Sequence, residues 1–330
     1  MSVDKSNPKR CSFTSTEGES CNELDIGNGF CFWHDKNIDK TGMKLALKLE
    51  EFVAAGGVTQ GVCLKKADLE NVRLVRYGHS TGYDFRNADF YRANLRNAHL
   101  FNANCSGASF MKAQLKDADL HCAELFNCNL LGVKLSGARL DNVSLGSYVH
   151  QESIARQAER EGNHTKAADF YEQSEEIYRA FRKAASDNGL MNLSGQFAYK
   201  ESTMIRKQKP RYSAERISSK LVDLFCGYGE KPRNVIAFSV WFILFCACFY
   251  FTVGVESNYG PIGFDSNHTF YENLSHFGSS IYFSVVTFTT LGYGDIHPIG
   301  IARAVATFEA FIGSFALALY VVVFVKKTSR

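Results

Sequence analysis

The sequence predicts a multidomain protein: a β-helical solenoid, a helical connector, and an all-α membrane domain with two spans. Three observations carry that expectation. An apolar residue recurs every five positions between Val62 and Leu145. The stretch from Gln151 to Lys209 is charged, alanine-rich and free of proline. Two long apolar runs, Val235–Val255 and Arg303–Val325, lie in the last third. At 330 residues the chain is long enough for several domains. Its 37 basic and 34 acidic residues leave a net charge of +3, which gives no general argument for a nucleic-acid partner. Met1–Arg10 is polar and lacks the apolar core of a signal peptide, so the start is expected in the cytoplasm. Ten scattered cysteines argue against a secreted disulfide framework.

Residues 1–38 come first. Cys11, Cys21, Cys31 and His34 are separated by nine, nine and two residues. Three thiolates and an imidazole suit a closed tetrahedral zinc site, and Gly18, Gly27, Asn28 and Gly29 supply turns around it. So short a segment cannot build an apolar core, and a metal would provide the missing stability. The arrangement resembles small Cys3His zinc knuckles, although the first spacing is longer than in most. The resemblance implies a structural Zn2+, with no coordination position left for catalysis. The alternative is three unligated cytosolic thiols and a surface histidine; a redox-sensing role is weaker. In residues 39–60, Leu45, Leu49, Phe52 and Val53 share one face of a capping helix over Lys40–Ala55, closed by Gly56-Gly57.

Residues 61–148 hold the repeat. Leu64, Leu69 and Leu74 begin it, and Phe85, Phe90, Leu95 and every fifth residue to Leu145 continue it. Two places before almost every one stands a small residue, as at Ala67, Ala88 and Ala93. A five-residue period fits neither helix nor flat strand, but it fits one side of a square coil per repeat. The pattern resembles the pentapeptide-repeat family, which implies a right-handed quadrilateral β-helix. The register slips by one residue around Tyr77–Gly82, where a loop or bulge should leave the coil. Some members of that family mimic DNA with acidic surface; here basic residues outnumber acidic ones. No paired carboxylates and no nucleophile–base motif suggest an enzyme. The coil reads as a scaffold for assembly or gating, or as a surface for an unknown cytoplasmic partner.

Residues 149–210 form the connector, with helices expected over Gln151–Glu161, Thr165–Asp187 and Ser194–Lys207, the second burying Ala168, Tyr171, Tyr178 and Phe181. In residues 211–231, Ile217, Leu221, Leu224 and Phe225 share a face of an interfacial helix, and the basic residues Arg206, Lys207, Lys209, Arg211, Arg216 and Lys220 crowd ahead of the first span. Gly227-Tyr228-Gly229 reads as a turn before Pro232.

Residues 232–330 are the membrane part. Spans are expected at about 235–255 and 303–325, with a re-entrant helix at about 274–289 between them. Asn234 to Ala302 contains no Lys or Arg, while Lys231, Arg233, Arg303, Lys326, Lys327 and Arg330 flank the spans; the positive-inside rule puts both termini in the cytoplasm. After the re-entrant helix comes Thr289-Thr290-Leu291-Gly292-Tyr293-Gly294-Asp295. Stripping water from a cation requires closely spaced oxygens, which rings of backbone carbonyls supply and glycine conformations permit. The stretch resembles the selectivity filter of bacterial two-span potassium channels, with Leu291 in place of a valine. The resemblance implies K+ conduction through a homotetramer in the inner (plasma) membrane, with Thr290–Asp295 as the filter, supported by Thr289 and Glu309. Pore-helix hydroxyls or filter amides are the expected partners of Glu309, an acid inside an apolar span. Gly313 is either a gating hinge of the second span or a close-packing position. Two rivals stay open: a poorly selective cation channel, and a membrane-anchored scaffold with a vestigial pore.

Overall fold

A computed structural model describes residues 9–328; residues 1–8 of the polar opening and Arg330 among the flanking basic residues lie outside them. The chain divides into two compact units, Met1–Arg216 and Ile217–Arg330.

The first unit is built on the coil. Parallel bridges join Asp84 to Asn104, Asp89 to Ser109, and so on to Glu124 with Ser144, always 20 residues apart. Four five-residue sides therefore make one turn, and each large apolar residue stacks on its counterpart one turn below. Phe90 lies on Phe110 with ring centroids 4.9 Å apart. These residues and the alanines two places before them are fully buried from Leu64 to Leu130. The corners need a third position that the apolar pattern does not display. Two places after the large residue, φ turns positive at Lys66, Asn71, Asn87 and Arg92 and at every fifth residue from Asn97 to Asn142, where Asn and Gly are the commonest residues. Each corner is closed by a bond such as Ala93 N–H to Phe90 O at 3.0 Å. Gly and Asn reach this left-handed region at least cost, which explains why they recur there.

The first turn departs from the rule. Cys63 pairs with Asp89, Asp68 with Asn94 and Arg73 with His99, each 26 residues apart, so this turn carries six extra residues. They leave between Leu74 and Phe85, which both stay fully buried. The expected one-residue slip is thus a six-residue insertion.

Helix α1, Ala46–Ala54, covers the start of the coil with Leu49, Phe52 and Val53. It is shorter than Lys40–Ala55 because Lys44 runs extended and bridges to Asp68. At the other end stand α2 (His150–Arg160), α3 (His164–Asp187) and α4 (Met191–Gln208). The Asn163 side chain caps α3 by accepting the Lys166 N–H at 3.1 Å. Tyr171, Tyr178 and Phe181 are buried as expected, but Ala167 rather than Ala168 completes the face. The hydroxyls of Tyr171 and Tyr178 donate to Glu159 and Glu152, both at 2.6 Å. One apolar core runs without a break from Cys11 to Met204.

In the second unit, most of α5 (Ala214–Cys226) leaves Ile217, Leu221 and Leu224 exposed, the apolar face of the expected interfacial helix. A single 3-10 turn at Gly227–Gly229 leads to Pro232, which opens α6 (Pro232–Val253) at a position suited to proline. Then follow β1 (Val255–Ser257), β2 (Gly260–Ile262), α7 (Phe270–Phe288), β3 (Ile296–Pro298) and α8 (Ala302–Thr328). The loop segments on either side of α7 form an antiparallel sheet, ordered β2-β1-β3. Among the described residues two helices, Pro232–Val253 and Ala302–Lys327, are long and apolar enough to cross a membrane.

Candidate ion path and metal centre

Helix α7 begins four residues earlier than Leu274 because a capping box starts it. The Thr269 N–H donates to Glu272 Oε2 at 2.7 Å, and the Glu272 N–H donates to Thr269 Oγ1 at 3.4 Å. The helix ends where the glycine stretch begins, so its negative end faces that stretch. Thr290 N–H to Thr287 O and Leu291 N–H to Val286 O, both 3.0 Å, close the last turn.

Beyond it φ is +58° at Thr290, +56° at Gly292 and +79° at Gly294, and it is not positive at Leu291 or Tyr293. A backbone that alternates between left- and right-handed regions gathers successive N–H groups on one side. The sign of φ alternates here as such a backbone requires, and in that backbone the carbonyls lie on the other side, the geometry a row of cation-binding oxygens needs. A side-chain carbon added at Gly292 or Gly294 would meet nothing within 4 Å. Within the protomer, glycine is therefore needed there for its conformation rather than for space. Thr290 takes the same conformation without being glycine, at a cost of about 1–2 kcal/mol; its hydroxyl donates to the Thr289 carbonyl at 2.7 Å.

Asp295 closes the stretch and is held to α7, accepting from the Tyr282 hydroxyl at 2.9 Å. Glu309 on α8 is fully buried. Its Oε2 accepts from the Tyr250 hydroxyl of α6 at 2.6 Å, and Ser284 Oγ of α7 stands 2.5 Å from its Oε1. A pore-helix hydroxyl was an expected partner. Tyr250 was not, and its only signal in the sequence is a hydroxyl inside an apolar span. Gly313 lies against the end of α7: a side-chain carbon there would fall 1.9 Å from the Phe288 carbonyl oxygen. Leu291 and Tyr293 are 59% and 68% exposed in the single protomer.

The second cluster lies at the other end of the chain. One ligand atom from each of Cys11, Cys21, Cys31 and His34 falls within 4.8 Å of all the others, and all four residues are buried. Cys31 Sγ is 3.2 Å and Cys11 Sγ 3.6 Å from His34 Nδ1, and Cys21 Sγ is 3.8 Å from Cys31 Sγ. The edge of a tetrahedron with metal–sulfur bonds of about 2.3 Å is about 3.8 Å, so the donor set fits zinc. His34 Nε2 lies 3.0 Å from the Gln60 carbonyl, which holds the proton on that nitrogen and turns Nδ1 to the thiols. Phe13 stacks on the ring at 4.0 Å. The surface histidine of the alternative reading is thus a buried, oriented one. Burial pushes the Cys21 thiol up to about 12, raises Cys31 likewise and pulls His34 down. A metal would displace thiol protons on entering.

A family model described as an ion channel matches residues 237–330. Another, described as pentapeptide repeats, matches residues 84–117 and 108–146. Neither is an enzyme family. No curated protein matches the chain. Among solved structures it is similar to HetL, a pentapeptide repeat protein involved in heterocyst differentiation regulation from the cyanobacterium Nostoc sp. strain PCC 7120. That match has 29% identity over 25% of this chain and 38% of HetL, with a TM-score of 0.16. It is also similar to a second Nostoc PCC 7120 pentapeptide repeat protein, at 28% identity over 31% of this chain and 78% of that one, with a TM-score of 0.19. The chain spans well under half the length of HetL. It is a multidomain membrane protein in which an N-terminal pentapeptide-repeat β-helix precedes a C-terminal two-span ion-channel domain.

Proposed function

We propose that the protein is a K+-selective channel, formed by four copies that each contribute one filter strand and two spans. The observation that carries this reading is the alternation of φ at Thr290, Gly292 and Gly294, directly after the C-terminal end of α7. One such strand forms one wall of a path, and the exposure of Leu291 and Tyr293 in a lone protomer calls for further copies around an axis. Asp295, tied to Tyr282, holds the outer end of the filter, and Thr289 and Glu309 brace it from behind. Gly313 serves packing against α7 rather than bending, given the Phe288 carbonyl beside it. Both termini face the cytoplasm of a plasma membrane, as the absence of Lys and Arg from Asn234 to Ala302 suggests. Cys11, Cys21, Cys31 and His34 hold a structural Zn2+.

The filter assignment is tested by Gly292→Val in reconstituted liposomes. A β-branched residue is the least suited to positive φ, so flux of potassium or rubidium should fall to the protein-free background. Flux equal to that of the unmodified protein would remove Thr290–Asp295 from the ion path.

A further inference from the structure

Where the connector meets α5 there is a cavity of about 470 Å3 whose charge is out of balance. Its floor is apolar, from Ala167, Ala168 and Pro210, while Lys207, Lys209, Arg211 and Arg216 stand around it. The one acid among its walls is Glu159, which already serves several groups. Its Oε2 accepts from Tyr171 and lies 3.6 Å from Lys207 Nζ, and its Oε1 lies 3.1 Å from Arg216. Burial opposes ionisation of Glu159, but the Tyr171 hydroxyl, Lys207 and Arg216 outweigh it and keep the carboxylate charged. Lys209 finds Glu215 at 2.8 Å, outside the cavity. Burial, and after it the Arg156 guanidinium, pulls the Lys207 ammonium below its ordinary range, as expected where positive charge is in excess.

The N-terminus of α3 opens into the same space through Thr165. This helix is 24 residues long and opens on a cap in which Asn163 Oδ1 accepts the Lys166 N–H at 3.1 Å, so only its dipole, and not an open row of donors, adds to the side-chain charge. Four basic residues against one acid among the cavity walls, over an apolar floor beside the start of α3, match a phosphate group attached to a less polar body. We propose that this cavity binds a phosphate-bearing anion, held by Lys207, Lys209, Arg211 and Arg216 at the start of α3. The proposal stands apart from the pore reading, and its test needs no ion flux.

The ligand can be a soluble phosphate compound or a lipid headgroup, and calorimetry on the detergent-solubilised full chain separates the two. The probes are pyrophosphate, short-chain phosphatidic acid and short-chain phosphatidylcholine. The variants are Lys209→Gln with Arg211→Gln, both on exposed side chains outside the core, and Lys116→Gln on the coil as a control. The expected result is saturable binding of pyrophosphate or of phosphatidic acid, weakened at least about tenfold in the double variant and unchanged in the control. Pyrophosphate binding identifies a soluble ligand, and binding of phosphatidic acid alone identifies a lipid. The proposal is overturned if neither saturates, if phosphatidylcholine binds as well as phosphatidic acid, or if the double variant binds like the unmodified protein.

Discussion

The two units dispose of their apolar surface in opposite ways. Met1–Arg216 finishes its own core: zinc-knuckle-like segment, coil and connector share one continuous buried cluster inside a single protomer. Ile217–Arg330 does not. Its buried clusters are small, and Phe308, Phe311, Phe315, Val322 and Phe324 of α8 all stand roughly half exposed or more. Each repeat of the coil meets the repeat one turn below, so burial is completed by the chain's own continuation. The two-span unit buries little within one protomer, and in the proposed tetramer lipid and neighbouring copies complete it. Stability in one unit is therefore local, and in the other the proposed tetramer makes it a property of assembly.

The sharpest way to break this contrast is to cut one large apolar residue from each unit. Leu95→Ala should destabilise the coil by about 2–5 kcal/mol, because its neighbours are fixed by the turns above and below. Phe315→Ala should leave protomer secondary structure unchanged and alter oligomer stability or flux instead. Thermal melts by circular dichroism, paired with cross-linking in detergent, read both outcomes. Equal losses of protomer stability would erase the distinction.

Next in size comes the metal centre. Cys31→Ser should abolish stoichiometric zinc and lower the melting temperature of the first unit, while the coil from Phe85 onward keeps its β signal. Metal analysis of purified protein decides it, and zinc-free unmodified protein with the same melting temperature would contradict it.

In the second unit, Glu309→Ala should cost more than Glu309→Gln. Alanine leaves the Tyr250 hydroxyl with no acceptor in a buried place, at about 1–3 kcal/mol, whereas a glutamine oxygen still accepts one bond. The melting temperature of the detergent-solubilised protein should fall in that order.

The smallest effect concerns acid. The side chain of Gln60, then Arg86 and Thr16, hold Glu17 at about 2, below its usual 4.5. A carboxylate whose folded value is depressed contributes its full stability above the unfolded value and loses it as pH falls through the folded one. The first unit should therefore weaken slightly between pH 4.5 and 2, and Arg86→Gln should flatten that slope in pH-dependent melts.

Features that repeat locally were legible in the sequence. The five-residue period exposed the coil because each side is built the same way. The corner residues escaped notice because Lys66, Arg92 and Lys112 share the positive φ of the Asn and Gly positions and blur the pattern. A six-residue insertion and a one-residue slip are the same in a period of five, so periodicity alone could not tell them apart. Contacts between distant segments were the least legible. Tyr250 and Glu309 meet across 59 residues, and three-residue strands are too short to show alternation. The conformation of the Thr289–Asp295 stretch was more legible, because its glycines announce the positive φ found at Gly292 and Gly294.

Selectivity is the central claim, and paired flux measurements on liposomes holding the full chain test it most directly. Rubidium and potassium should pass, and sodium should be retained under the same gradient. Sodium passing as readily as potassium would contradict the account.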